Sequence, residues 1–416
     1  MQKTLVVAGG GAAGFFCAVT AARLNPALKV ILVEKSGKLL SKVKVSGGGR
    51  CNVTHACFSI PEMVRKYPRG SNFIKKTFHQ FFTTDTVQWF EERGVPLKTE
   101  EDGRMFPQTN SSQSVIDCLL QEANLFHVEI RLHHEIRSID YNSEPSSFII
   151  HFNNDLQLKA DFICLACGGY PKSSMFEWIM QCGHSIEEPV PSLFTFNMPD
   201  NPVNALMGIS VPDAQVKISG ETLKESGPLL ITHWGMSGPA ILKLSAWGAR
   251  VLKEKDYRFE IRVNWLGTRT DQSLRDEILM IRENSGGKKI RQKNPWGLPQ
   301  RLWEWFLEQS GIGDIHWADL PATMQNKLIQ ILTNQPFSVE GKTTFKEEFV
   351  TAGGIRLSEI NHHTMESRIR SGLYFAGEVL DVDGVTGGFN FQHAWTSGYI
   401  AGKAIAEKSL SLATTA

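Results

Sequence analysis

The segment Gly9-Gly10-Gly11-Ala12-Ala13-Gly14 directly follows the first apolar run, and the acid Glu34 lies twenty residues beyond its last glycine. Thr4 to Ala8 has the length and branching of a buried parallel strand, and Ala12 to Arg23 reads as a small-residue helix. Gly9 allows a tight strand-to-helix turn, Gly11 lets the backbone approach a pyrophosphate, and Gly14 lets the helix pack closely on the sheet. The first helical N–H groups, at Ala12, Ala13 and Gly14, and the helix dipole then hold the phosphates. Lys29 to Val33 supplies the second strand, which ends at Glu34-Lys35. A carboxylate there accepts both hydroxyls of an adenosine ribose and repels a 2′-phosphate, which argues against NADP in this pocket. Strand, turn, helix, strand and acid fall in the order that a dinucleotide site requires.

The 416 residues allow two or three domains, and 42% apolar residues are enough for sizeable cores. Lys+Arg of 44 against Asp+Glu of 43 gives no global attraction to nucleic acid or an anionic membrane. No apolar stretch approaches the ~20 residues that span a bilayer. The first strand begins almost at Met1, which leaves no room for a secretory signal; the expectation is a soluble, cytoplasmic protein. The seven cysteines are odd in number and scattered, unlike a disulfide framework. Cys164-Leu-Ala-Cys167 has redox spacing, but it lies in a strand entering a glycine turn and reads as buried, inert thiols. No metal is expected: His133-His134 and His362-His363 are adjacent doublets of the kind found in solvated turns.

Alternating β and α segments over 1–192 predict an α/β fold, a Rossmann-like, doubly wound parallel sheet. Phe and Trp at helical spacing over 71–93 read as core stripes, and a helix over 114–124 and strands over 127–139, 147–152 and 161–166 follow. After Pro189-Val-Pro191 the texture changes. Residues 193–268, with 336–343, read as a β-rich, barrel-like insert without crossover helices, and 269–335 as a helical insert. The first domain resumes from 344 to 416, with a frayed tail from Leu410. The basic loop 286–293 reads as a solvated connector, with an anion patch as its alternative.

Two further clusters extend the dinucleotide reading. Gly372-Leu-Tyr-Phe-Ala-Gly377-Glu378 is a strand ending in glycine and acid. It leads through Gly387-Gly388 and Asn390-Phe391 to a helix from His393 to about Lys408, with small residues at Ala394, Ser397, Gly398, Ala401 and Ala404. This arrangement suits the far end of FAD. Glu378 would bond the ribityl or pyrophosphate region, and the N–H groups of Gly388 to Phe391 would face the flavin edge where reduction places charge. Ala166 and Gly168, at the end of the 161–166 strand, border the same region. In the third cluster, Lys42 to Asn52, Gly47, Gly48 and Gly49 expose backbone N–H groups while Arg50 and Asn52 add fixed donors. Such a loop embraces a pyrophosphate or an isoalloxazine ring, and Cys51 is either redox-active or a ring contact.

Ser46-Gly-Gly-Gly-Arg-Cys-Asn52, Thr232-His-Trp-Gly-Met-Ser-Gly-Pro239, Thr351-Ala-Gly-Gly354 and Gly377-Glu-Val-Leu-Asp-Val-Asp-Gly384 together resemble the BaiN-type flavoproteins, also described as the aminoacetone-oxidase type. The resemblance implies a two-dinucleotide-binding FAD domain interrupted by β-rich and helical domains. It also implies an FAD-dependent oxidoreductase, with one branch linked to reduction of unsaturated bile-acid intermediates. Carried over by position, it implies FAD contacts at Ala13, Glu34, Lys42, Gly47–Asn52, Glu378 and Asn390–Phe391. It places an adenine-side backbone contact at Ile136. His393 stands where the resemblance leads one to expect Trp.

The expected chemistry is a hydride relay from a reductant through FAD to a small organic acceptor. No second G-x-G-x-x-G follows a strand after residue 55, so NAD(P)H as reductant would visit the substrate cleft transiently. No catalytic acid is assigned: His233 reads as a turn histidine or as a proton donor, and Cys51 is no better placed. The rival readings are a non-catalytic redox sensor, an RNA-associated flavoprotein and a flavin-dependent nucleic-acid modifier; the charge balance disfavours the latter two.

Overall fold

The computed structural model describes residues 2–143, 146–343 and 350–414. The chain forms two compact units, Met1–Ser192 with Lys346–Ala416, and Leu193–Phe345. The expected return to the first domain at 344 lies outside the described residues.

The first unit is built on five parallel strands: β1 (Thr4–Ala8), β2 (Lys29–Val33), β3 (Glu129–Arg131), β4 (Phe162–Leu165) and β5 (Leu373–Phe375), in the order β5-β4-β1-β2-β3. Val6 of β1 pairs with Ile163 on one side and Ile31 on the other. Leu5, Val6 and Val7 have no exposed surface, as a strand covered on both faces requires, and this is why these segments read as unbroken apolar runs. Helices α1 (Ala12–Leu24) and α2 (Phe389–Thr414) pack on each other through small residues. A Cβ on Gly398 would stand 2.5 Å from the Ala13 carbonyl oxygen, and one on Gly402 2.5 Å from that of Cys17.

The aromatic stripe of 71–93 is core, as its spacing predicts. Phe16 of α1 lies 4.5 Å from the Trp89 ring and 4.7 Å from Trp395 of α2. Ile136–Ser143, Ser146–Phe152 and Gln157–Ala160 form a separate three-stranded antiparallel sheet. The tail expected to fray is helical to Thr414; 415–416 lie outside the described residues.

In the second unit seven strands form an antiparallel sheet running from Gln335–Glu340 at one edge to Lys342–Thr343 at the other. The stretch 193–268, expected to be β-rich without crossover helices, also contains two helices, Pro239–Trp247 and Ala249–Glu254. Gly238-Pro239 reads as a turn, but proline at the first helical turn loses no hydrogen bond and starts the helix instead. The helices Asp271–Ser285, Gln300–Ser310 and Ala322–Asn334 have no core of their own. Trp303, Phe306 and Leu328 bury into the same cluster as Ile261, Trp265 and Phe337 of the β-rich part. An amphipathic helix has one apolar face to cover, and here the sheet covers it.

Candidate active site

The glycine turn stands at the C-terminal end of β1, where open parallel sheets bind ligands. Gly9 has φ +114, and a Cβ there would lie 2.3 Å from the Ala166 carbonyl oxygen at the end of β4. A Cβ on Gly14 would lie 1.9 Å from the Gly9 oxygen, so both positions exclude a side chain. Gly11 differs: its backbone is extended (φ -98, ψ -171), and nothing lies within 4 Å of an added Cβ. The N–H groups of Ala12, Ala13 and Gly14 open α1 and have no intrahelical acceptor. Glu34 Oε2 accepts the Gly10 N–H at 2.9 Å, and Oε1 accepts both the N–H and hydroxyl of Ser36 at 2.9 Å. Oε2 therefore retains a lone pair for a ligand hydroxyl. Lys35 is exposed, with its ammonium 5.5 Å from the Tyr170 ring centroid. Gly168 has φ +77 and open space at its Cβ position. Ile136 opens the three-stranded sheet just after His134, whose N–H donates to the Glu34 carbonyl at 2.9 Å.

The Lys42–Asn52 cluster is partly helical rather than a loop throughout. Ser41–Gly49 is helical until Ser46, where the backbone turns extended before Gly47, Gly48, Gly49 and Cys51 take φ values of 59, 69, 85 and 61. The segment is tied to the first turn, since the Leu40 N–H donates to the Gly10 carbonyl at 2.8 Å. Gly48 and Gly49 have open space at their Cβ positions. Arg50, expected as a ligand donor, is committed elsewhere: it pairs with Glu100 at 2.5 Å and lies over the Phe106 ring at 4.0 Å. Asn52 is buried, with Nδ2 donating to the Thr54 carbonyl and Oδ1 accepting from the Gly388 N–H, both at 2.9 Å. Cys51 is fully buried, and burial pushes its thiol up to about 12, which removes the redox-active reading. In native protein at pH 8, iodoacetamide should leave the Cys51 peptide unlabelled by mass spectrometry, while urea-unfolded protein labels fully.

At the far end, Gly377 and Glu378 follow β5. A Cβ on Gly377 would stand 2.8 Å from the Ala13 Cβ, so the strand end touches the start of α1. Glu378 Oε2 pairs with Lys42 at 2.5 Å, and Oε1 accepts the Thr351 N–H at 2.9 Å. Two expected cofactor contacts therefore hold each other, and Glu378 also positions Thr351-Ala-Gly-Gly354. α2 begins at Phe389, earlier than the expected His393. The Gly388 N–H is taken by Asn52, which corrects its expected role and leaves those of Phe389 to Phe391 at the helix start. The Asn390 side chain closes on Gly384, accepting its N–H at 2.8 Å and donating to its carbonyl at 2.9 Å. Phe391 stacks on Trp395 at 5.7 Å, and the Trp395 indole N–H donates to the Val53 carbonyl at 2.9 Å. Gly387, at φ +130, gives its carbonyl to His55 Nδ1 at 3.1 Å.

Three glycine-rich segments thus meet at one edge of the parallel sheet. Open Cβ positions at Gly11, Gly48, Gly49 and Gly168 and the undercapped start of α1 form an N–H-rich cradle. Glu34 stands at one end of it, against Gly10. This donor set fits an extended dinucleotide such as FAD.

The model of the family described as HI0933-like protein Rossmann domain matches residues 3–404. The chain belongs to this HI0933-like family. The BaiN-type resemblance is borne out over nearly its whole length, and the chain stands among the FAD-dependent oxidoreductases. A Haemophilus influenzae relative named ribosomal RNA dihydrouridine synthase is 28% identical over 97% of this chain and 98% of its own. A Clostridium scindens relative, 3-dehydro-bile acid delta(4,6)-reductase, is 26% identical over 97% and 98%. Among solved structures, 3-ketosteroid-delta4-(5alpha)-dehydrogenase from Rhodococcus jostii RHA1 shares the fold, with TM-score 0.53, 12% identity and 97% of each chain covered. A flavocytochrome c3 fumarate reductase shares it with TM-score 0.52 and 19% identity, over 98% of this chain and 79% of its own. No helix among the described residues of this HI0933-like chain is long and apolar enough to cross a membrane.

Several residues around the cradle escape sequence reading. Arg69 pairs with Asp383, which has no exposed surface and also accepts the Ser192 hydroxyl at 2.9 Å. Burial raises the Asp383 carboxyl above its usual range, against the lowering effect of Arg69. Tyr67 donates to the Phe389 carbonyl at 2.6 Å, and Gln392 joins Thr54, Thr86 and Thr396 in a buried network. A Ser–His–Glu alignment also occurs: His184 bonds Glu359 through Nδ1 and Ser367 through Nε2, each at 2.9 Å. Ser367 Oγ already accepts the N–H groups of Ile369 and Arg370, so the cluster is a clasp and not a nucleophile. His233, the candidate proton donor, is exposed at a turn of the second unit, its ring against Trp234 at 4.3 Å. Cys164 is buried and Cys167 half-buried; burial pushes the latter up to about 11, in keeping with inert thiols.

His393 is buried beneath the β5 end. Its Nε2–H donates to the Gly377 carbonyl at 3.3 Å, which leaves Nδ1 as a buried acceptor without a partner among the described residues. Burial lowers its pKa from 6.5 to about 4, so it stays neutral at pH 7. Between these values the unfolded chain takes up a proton that the folded chain refuses. Its contribution is intact above pH 6.5 and declines as pH falls toward 4, by about 3 kcal/mol in all. Urea unfolding at pH 7, 5.5 and 4.5 should show a shallower loss of stability in His393→Gln than in the parent chain.

Proposed function

We propose that this chain holds FAD in the glycine cradle and reduces a carbon–carbon double bond conjugated to a carbonyl. The convergence of three open glycine segments at the C-terminal edge of β1, β4 and β5 carries the cofactor assignment. When bound, FAD would supply the redox chemistry, taking a hydride equivalent from a reductant and returning it to an acceptor. The chain does the holding. The α1 N-terminus and the Gly11–Gly14 N–H groups would take the pyrophosphate, and Glu34 Oε2 a ribose hydroxyl. The backbone near Ile136 would border the adenine. The Gly47–Gly49 and Phe389–Phe391 N–H groups would take the flavin end, with Ala166, Gly168, Gly377 and Glu378 between.

The acceptor class rests on the relatives' names. A 3-dehydro bile acid unsaturated at positions 4 and 6 and the uracil ring of uridine both carry a double bond conjugated to a carbonyl. NADH or NADPH is the proposed reductant, entering and leaving through the substrate cleft because the chain carries no second dinucleotide motif. The buried, neutral His393 is no proton donor at pH 7.

The test is purification without added cofactor, then anaerobic titration with NADH and NADPH, then addition of a 3-keto-Δ4 steroid or a uridine-containing RNA. The expected result is yellow protein, bleached by a pyridine nucleotide and recoloured by one conjugated acceptor; the acceptor that works identifies the substrate. Colourless protein that takes up no FAD overturns the cofactor assignment. Yellow protein inert to both nucleotides and both acceptors overturns the enzymatic reading in favour of a redox sensor.

A further inference from the structure

Apart from the glycine cradle, the first unit carries an open cavity of about 570 Å³. Ser71, Asn72 and Lys76 line it from one side, and Ser358, His362 and Arg368 from the other. No acidic residue is in its lining. The exposed side chains of Lys76 and Arg368 have no ion-pair partner among the described residues; the Arg368 side chain donates from Nε to the Ile360 carbonyl at 3.3 Å. The nearby carboxylates of Glu359 and Asp383 are committed elsewhere. Glu359 accepts from His184 and from the Ser185 N–H, and Asp383 is paired with Arg69. His362 lies edge-on to Phe73 and against His363, at 6.4 and 4.1 Å between ring centroids.

We propose that this cavity binds a phosphate group of a nucleotide or nucleic-acid ligand, outside the dinucleotide fold. Like charges gathered without a counter-charge repel one another, and a bound anion relieves that repulsion. His362 lies in this cluster: burial first, and then His363, Lys76 and Arg368, hold its pKa below the usual value. The remaining polar lining, two serines and an asparagine, can donate hydrogen bonds, and charge-assisted bonds to phosphate oxygens are the strong kind. The volume exceeds one phosphate and suits a ligand of nucleotide size. The Gly70 wall packs on the segment after Glu378, because a Cβ on Gly70 would touch Val382 at 2.6 Å and Arg69 pairs with Asp383. The proposal does not depend on the flavin reading.

The test is NMR titration of the histidine side chains in the full chain as purified, with inorganic pyrophosphate at constant ionic strength. The His362 pKa should rise by ~0.5 or more as the anion offsets its cationic neighbours. Lys76→Ala with Arg368→Ala should weaken pyrophosphate at least ~10-fold while flavin content stays unchanged. Competition by NADPH identifies a small nucleotide as the phosphate source, and competition by a short oligouridylate identifies a nucleic-acid backbone. An unmoved His362 resonance, an equal shift with chloride, or full affinity in the double variant overturns the proposal.

Discussion

Gly11→Val should give a folded protein that is purified without its yellow cofactor. The backbone at Gly11 is extended, a conformation that a β-branched residue adopts readily, and no atom lies within 4 Å of the new Cβ. Valine is a poor N-cap, so the fold should lose no more than ~1 kcal/mol. The new methyl groups would instead occupy the space in front of the α1 N–H groups, where the pyrophosphate is proposed to lie. A steric conflict of about 3 kcal/mol or more lowers affinity at least ~100-fold. The check is flavin absorbance per chain, beside the urea midpoint of the same preparation. Full flavin content in a folded variant would rule out this turn as the phosphate site.

The sequence makes the glycine-turn end of this site legible because each element there is local. Strand, turn and helix follow one another within 24 residues, and their apolar and glycine spacing specifies them without distant partners. The far end, around Lys42–Asn52 and the start of α2, is less legible because long-range contacts decide it. Arg50 looks like a free donor until Glu100 and Phe106 engage it. The Gly388 N–H looks available until Asn52 takes it, and the Arg69–Asp383 pair joins residues 314 positions apart. No spacing rule reaches such pairs. The same limit explains the second unit, where a change in texture marks helices but cannot show that they share the core of the sheet. It also explains Cys51, whose motif looks reactive while its burial makes it inert.

Gly398→Val should fail in the opposite way, by losing the fold and with it the cofactor. Small residues along α2 are visible in the sequence, but the structure identifies which of them meet backbone. A Cβ at Gly398 would stand 2.5 Å from the Ala13 carbonyl oxygen and 2.9 Å from the Phe16 Cβ. Neither atom belongs to the flexible end of a side chain, so α1 and α2 must separate. Ala13 sits in the first turn of α1, and the Gly377 N–H bonds the Ser397 hydroxyl of α2 at 2.9 Å, so separation also displaces both ends of the cradle. The expected cost exceeds ~3 kcal/mol, toward the upper end for overpacking because backbone cannot repack as side chains do. Lys403→Ala, on the exposed face of the same helix, should stay within ~0.5 kcal/mol of the parent chain. Urea unfolding followed by circular dichroism separates the two. A Gly398→Val protein as stable as the parent but colourless would mean that this glycine serves the ligand and not the helix contact. Together with Gly11→Val, the pair distinguishes glycines that make room for the cofactor from glycines that make room for the chain itself.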